Sequence, residues 1–257
     1  MQFQHLQLQI EDAIAVVTLN RPPVNAQNAE LRAEIIECFD TLSDMAEVAC
    51  IVIRGAGKAF SAGADIRERP HLAGTPGAYG RHNRLTRECH YAMVECAKPI
   101  IAAINGPALG AGFGLVMGAD IWVASEDAYV SMPEINVGLA GGVTFLQRYF
   151  SQSRARRMFY TGMQVSAQEL YRLGLIEACL PAAELMPYAM GIAREIAAKS
   201  PVALRLAKEA ARMTLAMPAR EAYRYEQGNT VALSKTEDAR EAQMAFLEKR
   251  QPVYQGR

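Results

Sequence analysis

At 257 residues and with a hydrophobic fraction of 51%, the chain can bury the core of one large domain, or of one domain with an appendage. Its 27 lysines and arginines balance 27 aspartates and glutamates, which excludes a basic field for nucleic acid or for an acidic membrane surface. An anionic ligand would have to be met by local cations.

Apolar alternation from Phe3 to Asn20, with Leu6, Leu8 and Ile10 and then Ile14, Val16 and Thr18 about Glu11-Asp12, predicts a β-hairpin ended by Arg21-Pro22-Pro23. Leu31, Ile35, Ile36, Phe39 and Leu42 are spaced for one face of a helix from about Asn28 to Ala46. A buried strand follows at Cys50 to Arg54. The stretch from Arg69 to Arg84 holds Gly74, Pro76, Gly77 and Gly80 among charges and reads as a mobile loop. Further on come a strand at Ile100 to Asn105, a helix at about Gly110 to Gly118, and strands at Ile121 to Ser125 and Ala128 to Met132. Strand and helix alternate, so the class is α/β. After Met163 strands mostly stop, and helical periodicity begins near Ser166, Ala182, Ser200 and Ala219, with Ser166-x-x-Glu169 as a capping box. No internal repeat or low-complexity tract is evident.

The five cysteines, Cys38, Cys50, Cys89, Cys96 and Cys179, are odd in number and widely spaced, which suggests neither a disulfide framework nor a zinc site. His5, His71, His82 and His90 lack metal spacing; His71 and His82 read as solvated and His90 as helix packing. No apolar stretch reaches the roughly 18 residues of a membrane span. The expectation is a soluble, unprocessed, cytoplasmic protein.

Two segments place a turn of small residues after a strand: Gly55-Ala-Gly-Lys-Ala-Phe-Ser-Ala-Gly-Ala-Asp65 and Asn105-Gly-Pro-Ala-Leu-Gly-Ala-Gly-Phe-Gly114. Small side chains let a ligand atom approach the backbone, and free N–H groups at a helix start favour negative charge. One such turn is explained by close packing alone; two together suggest an oxyanion site. Neither is a dinucleotide fingerprint or a P-loop. Ser61 is no nucleophile elbow, because Ala59 stands where that motif needs glycine.

Lys58-Ala-Phe-Ser-Ala-Gly-Ala-Asp-Ile66, Lys98-Pro-Ile-Ile-Ala-Ala-Ile-Asn-Gly106, Gly110-Ala-Gly112, Met132-Pro-Glu134 and Ala245-Phe-Leu-Glu-Lys-Arg250 resemble, in order and spacing, the enoyl-CoA hydratase/isomerase (crotonase-like) family over nearly the whole chain. The resemblance implies a ββα spiral core with the acyl-CoA site at residues 1–195. It implies a helical region at 196–257 for oligomerisation and cover of the CoA site, as a homotrimer or a dimer of trimers. It implies that the backbone N–H groups of Ala64 and Ala111 meet the thioester oxygen and that Glu134 is general base and acid. Ala111 departs from the family's glycine, a role that survives if its φ stays negative.

By the same resemblance, Ala26, Ala62, Asp65, Ile66, Arg67, Gly110, Leu139, Gly142, Tyr225 and Lys249 are candidates for binding the substrate. Arg67 and Lys249 would supply cations for the CoA phosphates. Tyr225 matches a substrate-facing tyrosine of the hydroxycinnamoyl-CoA hydratase-lyases. Asp120 is expected to fix the chain after its helix. Two-glutamate hydratases of the family carry a second carboxylate where this chain has Gly114, which puts simple hydration in doubt and favours a double-bond shift. Gly142 stands where some dienoyl-isomerase and dehalogenase relatives carry aspartate. No cofactor is expected beyond coenzyme A, which is part of the substrate. The alternatives are a hydratase-lyase, a thioester hydrolase, and a homologue that binds acyl-CoA without chemistry.

Overall fold

The computed structural model describes residues 2–257, without the side chains of residues 71 and 73, so the expectation for His71 lies outside the described residues. Strands β1 (Leu6–Glu11) and β2 (Ile14–Leu19) form the predicted hairpin. Asp12 and Ala13 both take positive φ, +50° and +60°, as a two-residue turn matched to strand twist requires. Helix α1 (Ala29–Asp44) starts at Asn28, whose side chain accepts from the Leu31 N–H at 3.0 Å. β3 (Cys50–Gly55) then pairs parallel with β2.

The segment read as a mobile loop is instead largely helical: α2 (Pro70–Ala73) and the long α3 (Ala78–Glu95). Gly77, with φ +75°, starts α3, and the scattered glycines and charges hide a face on which Cys89, His90 and Met93 are buried. Packing against α1 decides what local propensity leaves open.

β4 (Ile100–Ile104), α4 (Ala111–Val116), β6 (Ile121–Ser125) and β7 (Tyr129–Ser131) follow within about two residues of expectation, and a short β5 (Ala108–Leu109) that was not expected lies before α4. Next come α5 (Val143–Tyr149), α6 (Gln152–Thr161), β8 (Val165–Ser166), α7 (Ala167–Arg172), β9 (Ala178–Leu180) and α8 (Ala182–Ala197). Helices α9 (Pro201–Thr214), α10 (Ala219–Leu233) and α11 (Glu237–Glu248) end the chain. The capping box at Ser166 forms by half. Ser166 Oγ accepts from the Glu169 N–H, but the Glu169 carboxylate turns to Arg154 and Arg172.

The main sheet runs β1-β2-β3-β4-β6-β9, parallel after the first hairpin, and a small second sheet runs β5-β7-β8. β9 was not foreseen; its three residues close the sheet at β6. Central strands read as unbroken apolar runs because both faces are covered. Ile51 and Ile53 point into the larger core with α1 and α3, whereas Cys50 and Val52 face Leu185, Ala189 and Ala193 of α8. The expected structural role of Asp120 holds. Its Oδ2 accepts from the Ile100 N–H at 2.7 Å and pairs with Lys208 of α9 at 2.9 Å. Among the described residues no helix is long and apolar enough to cross a membrane.

Candidate active site

The turn after β3 and the turn before α4 are joined along their backbones. The Ser61 N–H donates to the Pro107 carbonyl at 3.1 Å, and the Leu109 N–H donates to the Ser61 carbonyl at 2.9 Å. Gly112 is required by this approach, since a Cβ there would lie 2.4 Å from the Ser61 oxygen. Asn25 braces the first turn. Its Nδ2 donates to the carbonyls of Ala56, Ala59 and Phe60 at 2.9–3.2 Å, while its own carbonyl accepts from Ser61 Oγ at 2.7 Å. Ser61 is fully buried in this network, consistent with a structural hydroxyl rather than a nucleophile.

Ala64 of the first turn and Ala111 of the second both line one cavity of about 570 Å³. Among the described residues nothing accepts a hydrogen bond from either N–H. Ala111 opens α4, so its N–H has no partner within the helix. Its φ is not positive, which meets the condition set by its methyl group. Gly110 before it holds φ +50°, and its N–H is tied to the Ser131 carbonyl of β7 at 2.8 Å. That bond carries the strand leading to Glu134 up to the second turn.

Glu134 lies in a 3-10 turn, Pro133–Val137, immediately after β7. Its carboxylate packs on the bare face of Gly110, where an added Cβ would fall 2.3 Å from Oε1. Oε2 is buried and has no hydrogen-bond partner among the described residues. Burial pushes this carboxyl up from the ordinary glutamate range, against the opposing pull of its own backbone amide and of Arg69. A carboxylate that is desolvated, has one oxygen without a partner and shares a cavity with two free amides is suited to exchanging protons.

The other predicted residues separate into two groups. Gly110, Leu139 and Gly142 line the cavity; the Leu139 N–H also closes the turn onto the Glu134 carbonyl at 3.0 Å. Ala26, Ala62, Asp65, Ile66, Arg67, Tyr225 and Lys249 do not line it. The Ala62 N–H is spent on the Val24 carbonyl, and the Ala26 carbonyl accepts from Arg21. The buried Asp65 carboxylate is held by Arg67 in a two-point pair at 2.8 and 2.9 Å and by Arg21 at 3.0 Å. These partners hold its carboxyl well below the usual aspartate range, Arg67 contributing most. Ile66 is exposed. The Tyr225 hydroxyl on α10 donates to Glu209 at 3.0 Å, and Lys249 ends α11 in the left-handed conformation.

Gly114 faces the same cavity, and a Cβ built there meets nothing within 4 Å. The space that a second carboxylate would occupy is thus open. Residues that the sequence reading did not single out complete the wall: Gln27, Arg69, Tyr79, Asn83 and Thr86, most of them on α3. The helical spacing of residues 79, 82, 83, 86 and 90 would have revealed this face had the glycines not masked it. His90 packs edge-on against Phe145 and its Nδ1 lies 2.8 Å from the Gly114 carbonyl, so the expected packing role holds, now at the cavity wall. His82, expected to be solvated, is half-buried there. Cys89 also borders the cavity, but burial pushes its thiol up to about 12, so it stays protonated.

The family model for enoyl-CoA hydratase/isomerase matches residues 9–257. A carnitinyl-CoA dehydratase of Escherichia coli is 34% identical over 267 residues, covering 99% of each chain. A (7aS)-7a-methyl-1,5-dioxo-2,3,5,6,7,7a-hexahydro-1H-indene-carboxyl-CoA hydrolase of Mycobacterium tuberculosis is 35% identical over 239 residues, covering 93% of this chain and 96% of the relative. The solved structure of an enoyl-CoA hydratase from Bacillus anthracis superposes with a TM-score of 0.92 at 33% identity, covering 99% of this chain and 100% of the other.

Proposed function

This chain belongs to the enoyl-CoA hydratase/isomerase family, and we propose that its Ala64 and Ala111 amides receive the thioester oxygen of an enoyl-CoA while Glu134 moves a proton at the neighbouring carbons. The reading is carried by one observation: two unbonded amides from separate turns and an unpaired carboxylate border a single cavity. The chemistry needs all three. A thioester α-proton is too weakly acidic for a carboxylate unless negative charge on the enolate oxygen is stabilised as it forms.

In a double-bond shift, Glu134 takes the proton from one carbon as a carboxylate and, once protonated, returns it to another; in hydration, it takes a proton from the water whose oxygen bonds the β-carbon and delivers that proton to the α-carbon. With Gly114 on the same cavity, and Glu134 the single carboxylate among the described residues that line it, no second carboxylate holds water there, so a shift of the double bond is the leading reaction and hydration the companion. Hydrolysis, at the thioester in the simplest case, is the second reading; the relative from Mycobacterium tuberculosis is named a hydrolase of a bicyclic dioxo-carboxyl-CoA, a name that supports hydrolytic chemistry in the family without naming the bond. Coenzyme A is the carrier, with no separate cofactor, and Arg67 and Lys249 are the cations offered to its phosphates.

Products from a short 2-enoyl-CoA, a 3-enoyl-CoA and an aromatic enoyl-CoA test this directly. Conversion of the 3-enoyl to the 2-enoyl ester, without free coenzyme A, is expected; release of free thiol as the main event would sink it in favour of hydrolysis. Binding of all three with no turnover would instead mark a homologue without chemistry.

The C-terminal helices support assembly as a homotrimer or dimer of trimers. Leu215, Phe246 and Leu247 are 74–83%, or in the last case 73%, exposed, a large apolar cost for a single chain in water. Light scattering at micromolar concentration is expected to give three or six times the chain mass, and a monomer would overturn the assignment.

A further inference from the structure

Part of the cavity wall is built for more than a hydrocarbon. Leu115, Met132, Leu139 and Phe145 make part of its wall apolar, but Arg69 and His82 also border it. Behind His82 stands Arg32 of α1, which is fully buried. Its Nη1 lies 3.5 Å from His82 Nδ1, and its Nε and Nη2 have no partner among the described residues; the buried Nε of Arg69 has none either.

Burying an unpaired guanidinium is costly, so an arginine in that position ordinarily has an anion to meet. None of the described residues supplies one at contact distance. Asp65 is taken by Arg21 and Arg67. Glu68 faces the same arginines, but its Oε1 accepts from the Ala29 N–H at 2.9 Å and its Oε2 is unpartnered. Arg32 and Arg69 against Glu68 leave one positive charge among these three, and Glu134, the other carboxylate on the cavity, lies within electrostatic reach of Arg69 but makes no ion pair with it among the described residues. Arginine only donates, so its approach to His82 Nδ1 makes that atom the acceptor and leaves the proton on Nε2. The imidazole thereby passes a donor on from the buried arginine.

We propose that the acyl group handled here carries a carboxylate, which Arg69 and the Arg32-backed His82 recognise. The proposal rests on the reading of this cavity as the acyl-CoA site and deepens it by naming the substrate class: a monothioester of a dicarboxylic acid. The same charge rejects an acyl group that ends in a quaternary ammonium.

Saturated thioesters separate recognition from chemistry. Calorimetric Kd values would be measured for hexanoyl-CoA, for the six-carbon dicarboxylic monothioester, and for a six-carbon ester ending in trimethylammonium. The carboxylate ester is expected to bind about tenfold more tightly than hexanoyl-CoA, and the ammonium ester most weakly. In Arg69→Met the ratio of the first two should fall to about 1. Arg32→Met, close in volume and apolar, should narrow it as well; if that variant fails to fold, the wild-type and Arg69→Met ratios still decide. Equal binding of the carboxylate and neutral esters by the wild type, or equal weakening of both in Arg69→Met, would overturn the proposal. That failure is distinct from failure of the site reading, which would appear as no measurable binding of any of the three thioesters.

Discussion

Glu134→Gln is expected to lower kcat for the enoyl-CoA reaction by about 10³, the usual worth of a positioned general acid-base group, while Kd for a saturated acyl-CoA changes by less than about threefold. The amide matches the carboxylate in size, so it can sit on Gly110 without disturbing the turn that Leu139 closes. What it cannot do is take up a proton. Stopped-flow turnover together with calorimetric binding reads both quantities, and a variant that retained full turnover would remove Glu134 from the mechanism. The pH profile gives an independent check. The base works only when ionised, and its ionised fraction falls as pH drops through its pKa. Burial raises that pKa above the ordinary glutamate value, so the acid limb of kcat/KM should lie at higher pH than a solvated glutamate would give. Arg69→Met, by removing an opposing positive charge, should move the limb further up.

Ala111→Pro is the second large effect. Proline is well tolerated at the first position of a helix, where the missing N–H had no helical partner and the fixed φ is already suitable. Ala111 is that position in α4. The substitution deletes one of the two free amides and places a ring carbon where the oxygen would sit, yet breaks no hydrogen bond of the fold among the described residues. Loss of one donor of this kind costs about 3 kcal/mol in transition-state stabilisation. A fall of 10²–10³ in kcat, with the melting temperature within a few degrees of wild type, is expected from paired kinetics and calorimetry. Ala111→Val, which keeps the N–H, serves as the control for bulk. Equal losses in both variants would mean that crowding, not the amide, was being measured.

Several parts of this architecture were legible in the residues themselves. The hairpin, α1, the central strands and the helical last third all announced themselves through periodicity, caps and turn residues. Both small-residue turns were visible too, because close backbone approach demands glycine or alanine whatever lies on the other side. Glu134 could be singled out only by resemblance, since a glutamate after a short strand is ordinarily solvated. The α3 wall was missed for a physical reason. Gly80 inside it, and Gly74, Pro76 and Gly77 just before it, weaken the local helical signal, and the helix is held by burial against α1, a contact between residues about fifty positions apart.

The sequence by itself determined which backbone segments could come close, which strands would be covered on both faces, and how many side chains at the turns stay small. These are local matters of volume, φ and hydrophobic period. Only the tertiary structure decided that the amides of Ala64 and Ala111 remain unbonded on one cavity, that Glu134 is desolvated against Gly110, and that Arg32 Nε and Nη2 are left without a hydrogen-bond partner among the described residues. Desolvation and hydrogen-bond satisfaction depend on what arrives from distant parts of the chain, and no local pattern of residues records them.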